Sequence, residues 1–119
     1  MDIQETLQTV PALIARRAEA AESLRYVWQS VKEKYNNTEA KFVLLLKAEK
    51  QDLKSTEIKY YINNDPQLFG ERMEIIKAES SYRKKEVEVK ALEEELRACK
   101  MLARIRISEW ESQIEGGRK

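Results

Sequence analysis

The chain of 119 residues has no histidine, one cysteine, two prolines and three glycines. Without histidine it lacks the commonest general base and the commonest metal ligand. The one thiol, Cys99, falls on an apolar stripe with no imidazole to activate it, so it reads as a reduced core residue rather than a nucleophile. There is no glycine-rich phosphate loop, no Cys or His cluster and no serine elbow. Glu93-Glu94-Glu95 points three ways round a helix, which is not the geometry of a paired-carboxylate site. The expectation is a protein that is not an enzyme and uses no metal or cofactor. No apolar run approaches the ~20 residues that span a bilayer, so no membrane insertion is expected. The single thiol and the acidic, polar stretch Met1-Asp2-Ile3-Gln4-Glu5 predict a reducing, cytoplasmic setting. Excess charge is missing too: 21 acidic residues face 22 basic ones. Any anion site must therefore be a local patch rather than a basic coat.

What is present is helix. Charged residues make up 36% of the chain, a profile of long helices rather than sheets or disorder, within one domain or one protomer of something larger. Ile75, Tyr82, Val89, Leu96, Ala103 and Trp110 stand seven apart with no proline between them. Ala78, Leu92 and Cys99 fill the slot three residues on; later Ile107 and Ile114 fill the slot four residues on. A heptad stripe of this length marks a helix that supercoils against partners, and its drift is that of a ~3.6-residue turn against a seven-residue repeat. Unbroken from Glu71 to about Ile114, it would run roughly 65 Å at ~1.5 Å per residue.

Residues 1–10 read as a short amphipathic piece on Ile3, Leu7 and Val10, with Asp2 and Glu5 as a cap pair. Thr9 and Pro11 make a second helix start, opening a first arm over 11–62 with a stripe through Ile14, Ala21, Leu24, Trp28, Val31 and Tyr35. Asn36-Asn37-Thr38 is either a break, with Asn37 as a new cap, or an exposed turn of one helix. Helix is expected again from Glu39 to about Ile62. At Asn63-Asn64-Asp65-Pro66 an asparagine can take a left-handed stop, while Asp65 caps the next helix and Pro66 takes its first position. A turn over 63–69 then leads into a second arm over 70–115, which Gly70 can kink or soften, and Gly116-Gly117-Arg118-Lys119 reads as a mobile tail. A short turn between long helices implies an all-α antiparallel hairpin with coiled-coil-like packing. Folding at Pro66 would set Trp28 opposite Arg104 and Leu24 near Trp110.

Two arms alone leave too much apolar surface. Phe42, Val43, Leu44, Leu45 and Leu46 cover the whole circumference of their helix at about 100° per residue. Met101, Leu102, Ala103, Ile105 and Ile107 wrap the second arm nearly as fully. A homo-oligomer buried on Phe42, Leu45, Leu46, Leu102, Ile105 and Ile107 is the expectation.

The basic residues fall into two sets. Arg83, Lys90, Arg97 and Arg104 form a ridge seven apart, but Glu79, Glu86 and Glu93 each precede a member by four, the favoured intrahelical pairing. A solvated, paired face explains that ridge better than a phosphate groove. Lys47, Lys50 and Lys54 share one face of a continuous helix, and only Lys54 has an acidic residue at helical spacing, Glu57. Lys59, Tyr60 and Tyr61 continue towards the turn and Arg72 begins the return. Lysines interleaved with tyrosines suit single-stranded DNA or RNA, the backbone following charge while bases stack on rings. Alternatively a tyrosine merely plugs the hairpin tip.

With Trp28, a helix leading into Tyr60-Tyr61, the polar turn at Asp65-Pro66, and a long helix closing in Ile107-Ser108-Glu109-Trp110 before Gly116, residues 28–117 resemble the small UvsY-type recombination mediators of phages. The resemblance implies a ring-like homo-oligomer in the host cytoplasm that binds single-stranded DNA and helps load a recombinase onto strands covered by a single-strand-binding protein. That family carries basic residues shortly before the paired tyrosines; Ser55 and Glu57 stand there in this chain, flanked by Lys54 and Lys59. The rival reading is a structural or adaptor coiled coil that only self-assembles and holds protein partners.

Overall fold

A computed structural model describes residues 2–117. The architecture is an all-α helical hairpin, 94% helical, with three helices: α1 (Ile3–Glu49), α2 (Ser55–Asn64) and α3 (Pro66–Gly117). Among the described residues there is no strand, and no helix is long and apolar enough to cross a membrane.

Helix α1 starts at a cap. Asp2 Oδ1 accepts a hydrogen bond of 2.8 Å from the Glu5 amide, satisfying one of the donors a helix start leaves open. The separate N-terminal segment expected over 1–10 is therefore not separate: α1 runs straight through Pro11. Proline removes one bond of the ladder, but Pro11 is exposed, where its stranded carbonyl partner can be hydrated. Buried Thr6 and Val10 before the proline and half-buried Leu13 and Ile14 after it pack as parts of one helix. Asn36 and Asn37 are likewise exposed and interrupt nothing.

The break comes later. Helix α1 ends at Glu49, and residues 50–54 separate it from α2, within the stretch expected to stay helical. The apolar stripe explains this: Leu46 is buried, yet the next seam positions hold Glu49 and Lys50. Asp52 then takes φ 67°, in the left-handed region that aspartate enters more readily than most residues. At the other end of α2, neither Asn63 nor Asn64 adopts a left-handed stop. Asp65 is extended instead, and its Oδ2 accepts the Leu68 amide at 2.9 Å, capping α3 with Pro66 in first position as expected.

Because α2 takes up residues 55–64, the arms do not fold about Pro66 in register. Trp28 stacks on Tyr82, with centroids 5.6 Å apart, rather than lying opposite Arg104.

The chain divides into two compact units. In the unit Glu22–Arg83, Leu24, Trp28, Val31, Tyr35, Thr38 and Phe42 are half-buried at 4-3-4-3-4 spacing, and Ile75, Ala78 and Tyr82 form the α3 side. Thr38 Oγ1 lies 2.9 Å from the Lys34 carbonyl and 3.1 Å from Oε1 of buried Glu71. Lys34 Nζ reaches the same carboxylate at 4.0 Å and Glu74 at 3.7 Å. The other unit joins residues up to Ala21 with those from Lys84 onward. There Val10 and Leu13 on α1 and Val89, Leu92, Leu96, Cys99 and Ala103 on α3 supply the seam, and Arg17 meets Glu88 at 3.9 Å. Thr6 sits on this seam because its hydroxyl donates to its own helix, to Asp2 O at 2.9 Å.

The core is thin. Among the described residues only Val10, Ala21, Leu46 and Leu68 are buried hydrophobics. The expected belt at 42–46 is split: Leu46 is buried inside the protomer, Phe42 and Val43 are half-buried, and Leu44 and Leu45 are 69% and 66% exposed. Leu46 is thus removed from the expected oligomer interface, while Leu45 remains available to it. Leu102, Ile105 and Ile107 are exposed, as that interface requires. At the far end Gly116 and Gly117 belong to α3, and Arg118 and Lys119 of the expected mobile tail lie outside the described residues.

Two backbone positions give a direct test. A Cβ built on Gly70 meets nothing within 4 Å, so Gly70→Ala should stabilise α3 by about 0.5–1 kcal/mol. Asp52→Gly should also stabilise, by removing the left-handed penalty, whereas Asp52→Val should cost about 1–2 kcal/mol. Urea denaturation reads all three; a destabilising Gly70→Ala would show that α3 bends at that residue after all.

Candidate functional site

The lysine-tyrosine segment lies where the chain reverses, and the break after Glu49 rearranges it. Lys47 stands in the last turn of α1, where a cation complements the helix dipole. Lys50 follows the helix, and Lys54 is the extended residue before α2, with φ −78° and ψ 155°. The three lysines therefore do not line one helical face. Lys54 makes no side-chain cap; its carbonyl accepts the Glu57 and Ile58 amides at 3.0 Å each.

What the fold brings together is Lys50 with the tyrosine pair. Lys50 Nζ donates to the Tyr61 hydroxyl and lies 4.3 Å from that ring's centroid. Tyr61 is half-buried and meets Tyr60 edge to face, centroids 5.8 Å apart at 77°. Tyr60 is 64% exposed, so its ring is the open stacking surface of the pair. Lys47, Lys54 and Lys59 are exposed, and none of the four lysines forms an ion pair among the described residues.

Arg72, expected among the strand-binding residues, has a structural task instead. Its guanidinium donates to the Tyr35 hydroxyl, the Ile62 carbonyl and the Asn63 carbonyl, each at 3.3 Å. It thereby ties the end of α2 to α1 from its place on α3. Burial pushes the Tyr35 phenol above its ordinary value, against the opposing pull of Arg72, so the hydroxyl is a neutral acceptor at physiological pH.

The heptad-spaced basic ridge keeps only part of its expected pairing. Arg83 meets Glu79 at 3.8 Å, but Lys90 and Arg97 form no ion pair among the described residues; Glu88 pairs with Lys85 instead, at 3.0 Å. Arg83 also belongs to a cluster that the sequence reading missed. Trp28 has Lys32 Nζ 3.9 Å and the Arg83 guanidinium 5.3 Å from its ring, besides the stacked Tyr82. Arg25, Trp28 and Lys32 recur at helical spacing, which is the signal that could have found it. With its ring already engaged by Lys32, Arg83 and Tyr82, Trp28 is a packing centre rather than a base-stacking platform. Its buried Nε1 has no hydrogen-bond acceptor among the described residues. Nearby on α1, Arg25 lies over exposed Tyr26 at 5.1 Å and pairs with Glu22, whose carboxyl it holds below the usual range.

Arg72→Ala should therefore destabilise the protein by about 1–3 kcal/mol, three charge-assisted bonds being lost. Arg72→Lys should restore little of this, since the single nitrogen of an ammonium lacks the planar spread by which two guanidinium nitrogens reach the three acceptors. Denaturation midpoints check this, and unchanged stability in the alanine variant would refute the anchor role. Compared with known proteins, the chain stands without a match: no family model, no curated protein and no solved structure is similar to it.

Proposed function

We propose that the protein is a self-associating helical hairpin that binds single-stranded nucleic acid at its tip, in the manner of a phage recombination mediator that loads a recombinase onto strands held by a single-strand-binding protein. The observation that carries this reading is the tip itself: Lys47, Lys50, Lys54 and Lys59 without ion pairs among the described residues, beside the open ring of Tyr60. Phosphates follow unpaired cations, and a base stacked on a ring adds ~1–3 kcal/mol. Near-neutral net charge means the whole-protein field contributes little, so a concentrated patch has to supply the attraction. Self-association is supported separately by exposed Leu44, Leu45, Met101, Leu102, Ile105 and Ile107.

The adaptor reading has an observation of its own. Arg72 is used inside the fold and Tyr61 is half-buried against Lys50, which leaves the patch smaller than the sequence suggested.

Fluorescence anisotropy with a labelled oligothymidylate separates the two. Affinity should fall with salt, by a slope of ~0.7 per phosphate contacted. Lys50→Ala with Lys54→Ala should weaken binding and flatten that slope by about one to two such contacts. Arg83→Ala with Lys85→Ala makes the same change in net charge at cations that already have carboxylate partners, and should leave binding nearly intact. No binding at low salt, or equal losses from both pairs, would favour the adaptor.

A further inference from the structure

The seam of α3 changes character at Ala103. Up to that residue its half-buried positions, Val89, Leu92, Leu96, Cys99 and Ala103, alternate by three and four. Continued along the same side of the helix, the stripe passes over Ile105 to Ile107, Trp110 and Ile114, so the spacing around Ala103 becomes 3-4-4-3, a stutter that turns the stripe to a new direction. Burial ends at the same point, because every residue from Arg104 to Gln113 is exposed.

The end of α1 accounts for this. Arg17 meets Glu88, and Leu13 lines a shallow groove with Ala91, Leu92 and Glu95. Counting one residue back on α1 for each residue forward on α3 brings Ile3 level with Leu102. Helix α1 opens there behind its Asp2 cap, so no turn of α1 opposes residues 104–117. This stretch continues α3 without tertiary packing, from which most helical stability in proteins comes. Yet it carries Ile105, Ile107 and Trp110 exposed, the last at 62%.

We infer that this segment is a two-fold self-association element: a second copy of the chain packs antiparallel along Ala103, Ile107, Trp110 and Ile114. The inference rests on the self-association in the proposed function and gives it a geometry. Two features of the segment select this occupant. Its apolar spacing, 4-3-4, reads the same in both directions, so an antiparallel mate sets Ile107 against Trp110 and Ala103 against Ile114. Its charges are polar in sequence, with Arg104 and Arg106 before the midpoint and Glu109, Glu111 and Glu115 after it. None of these five forms an ion pair among the described residues. A two-fold axis lays the basic half of each copy along the acidic half of the other, and it makes each contact twice. A parallel mate would set like charges side by side.

The test uses the full chain and light scattering at micromolar concentration, with circular dichroism to verify helicity. Arg104→Glu with Arg106→Glu makes the segment wholly acidic; Glu109→Arg with Glu111→Arg and Glu115→Arg makes it wholly basic. Each variant alone should lose self-association by more than ~tenfold in dissociation constant, through like-charge juxtaposition. An equimolar mixture of the two should recover it as a mixed species. Ile107→Glu should lower the mass by half or more without recovery by either partner. Wild-type mass retained by both charge variants, but lost in Leu44→Glu with Leu45→Glu, would overturn the two-fold segment and leave self-association standing on the other belt. A wild-type chain that stays monomeric would overturn both. Failure of the mixture to recover after each variant has dissociated would overturn the antiparallel arrangement.

Discussion

Two helices lying side by side share one line of contact, and most of this molecule follows from that limit. A seam takes residues at three-and-four spacing and leaves the rest of each helix to water. The chain nevertheless carries apolar residues well outside its seam, at Leu44, Leu45, Met101 and Ile105 among others. Exposed hydrophobics scattered singly are ordinary, but clusters of them are not. With only four buried hydrophobic residues among those described, the hairpin has little apolar burial to set against the entropy of ordering its long helices. The self-association proposed above would resolve both deficits at once.

The reversal is built from polar chemistry rather than from a packed corner. Asp65 caps α3, Arg72 bonds two carbonyls at the end of α2, and left-handed Asp52 closes α1. Each of these groups is occupied by the fold, which decides what the tip can offer a ligand. Lys47, Lys54 and Lys59 are left exposed, and so is the ring of Tyr60. Lys50 contributes charge while steering Tyr61. The patch is therefore narrow, with more cations than open rings.

How far the sequence revealed this depended on whether a feature was local. The cap at Asp65 and Pro66 was readable because its donor sits three residues away, within the same turn. The α3 seam to Ala103 was readable because a heptad repeats its evidence many times. The break at 50–54 left only a faint trace, polar residues where the stripe needed apolar ones, and no proline or glycine to mark it. Missing that break put Trp28 against the wrong partner, because α1 ends at Glu49 instead of running on to the turn before Pro66. Pro11 misled in the opposite sense: a strong local breaker was overruled by packing at Thr6 and Val10. Arg72 could not be assigned from sequence, since its three acceptors come from α1 and α2. The glutamate-to-cation pairs were legible only as tendencies, each worth ~0.2–0.5 kcal/mol. Preferences that weak let Glu79 take Arg83 while leaving Arg97 without an ion pair among the described residues.

A narrow patch and a strong tendency to associate belong together in the proposed function. A few phosphate contacts and one stacked base give an affinity easily lost to salt. Joining copies converts the second and later contacts into intramolecular ones and raises avidity without new chemistry. The linkage also runs the other way. If a strand binds the assembled form better than the single chain, it must favour assembly by the same factor. Assembly and strand binding then regulate each other without any switch inside the protomer. A near-neutral chain suits that arrangement, because copies can gather on one strand without building up the repulsion that a uniformly basic protein would carry.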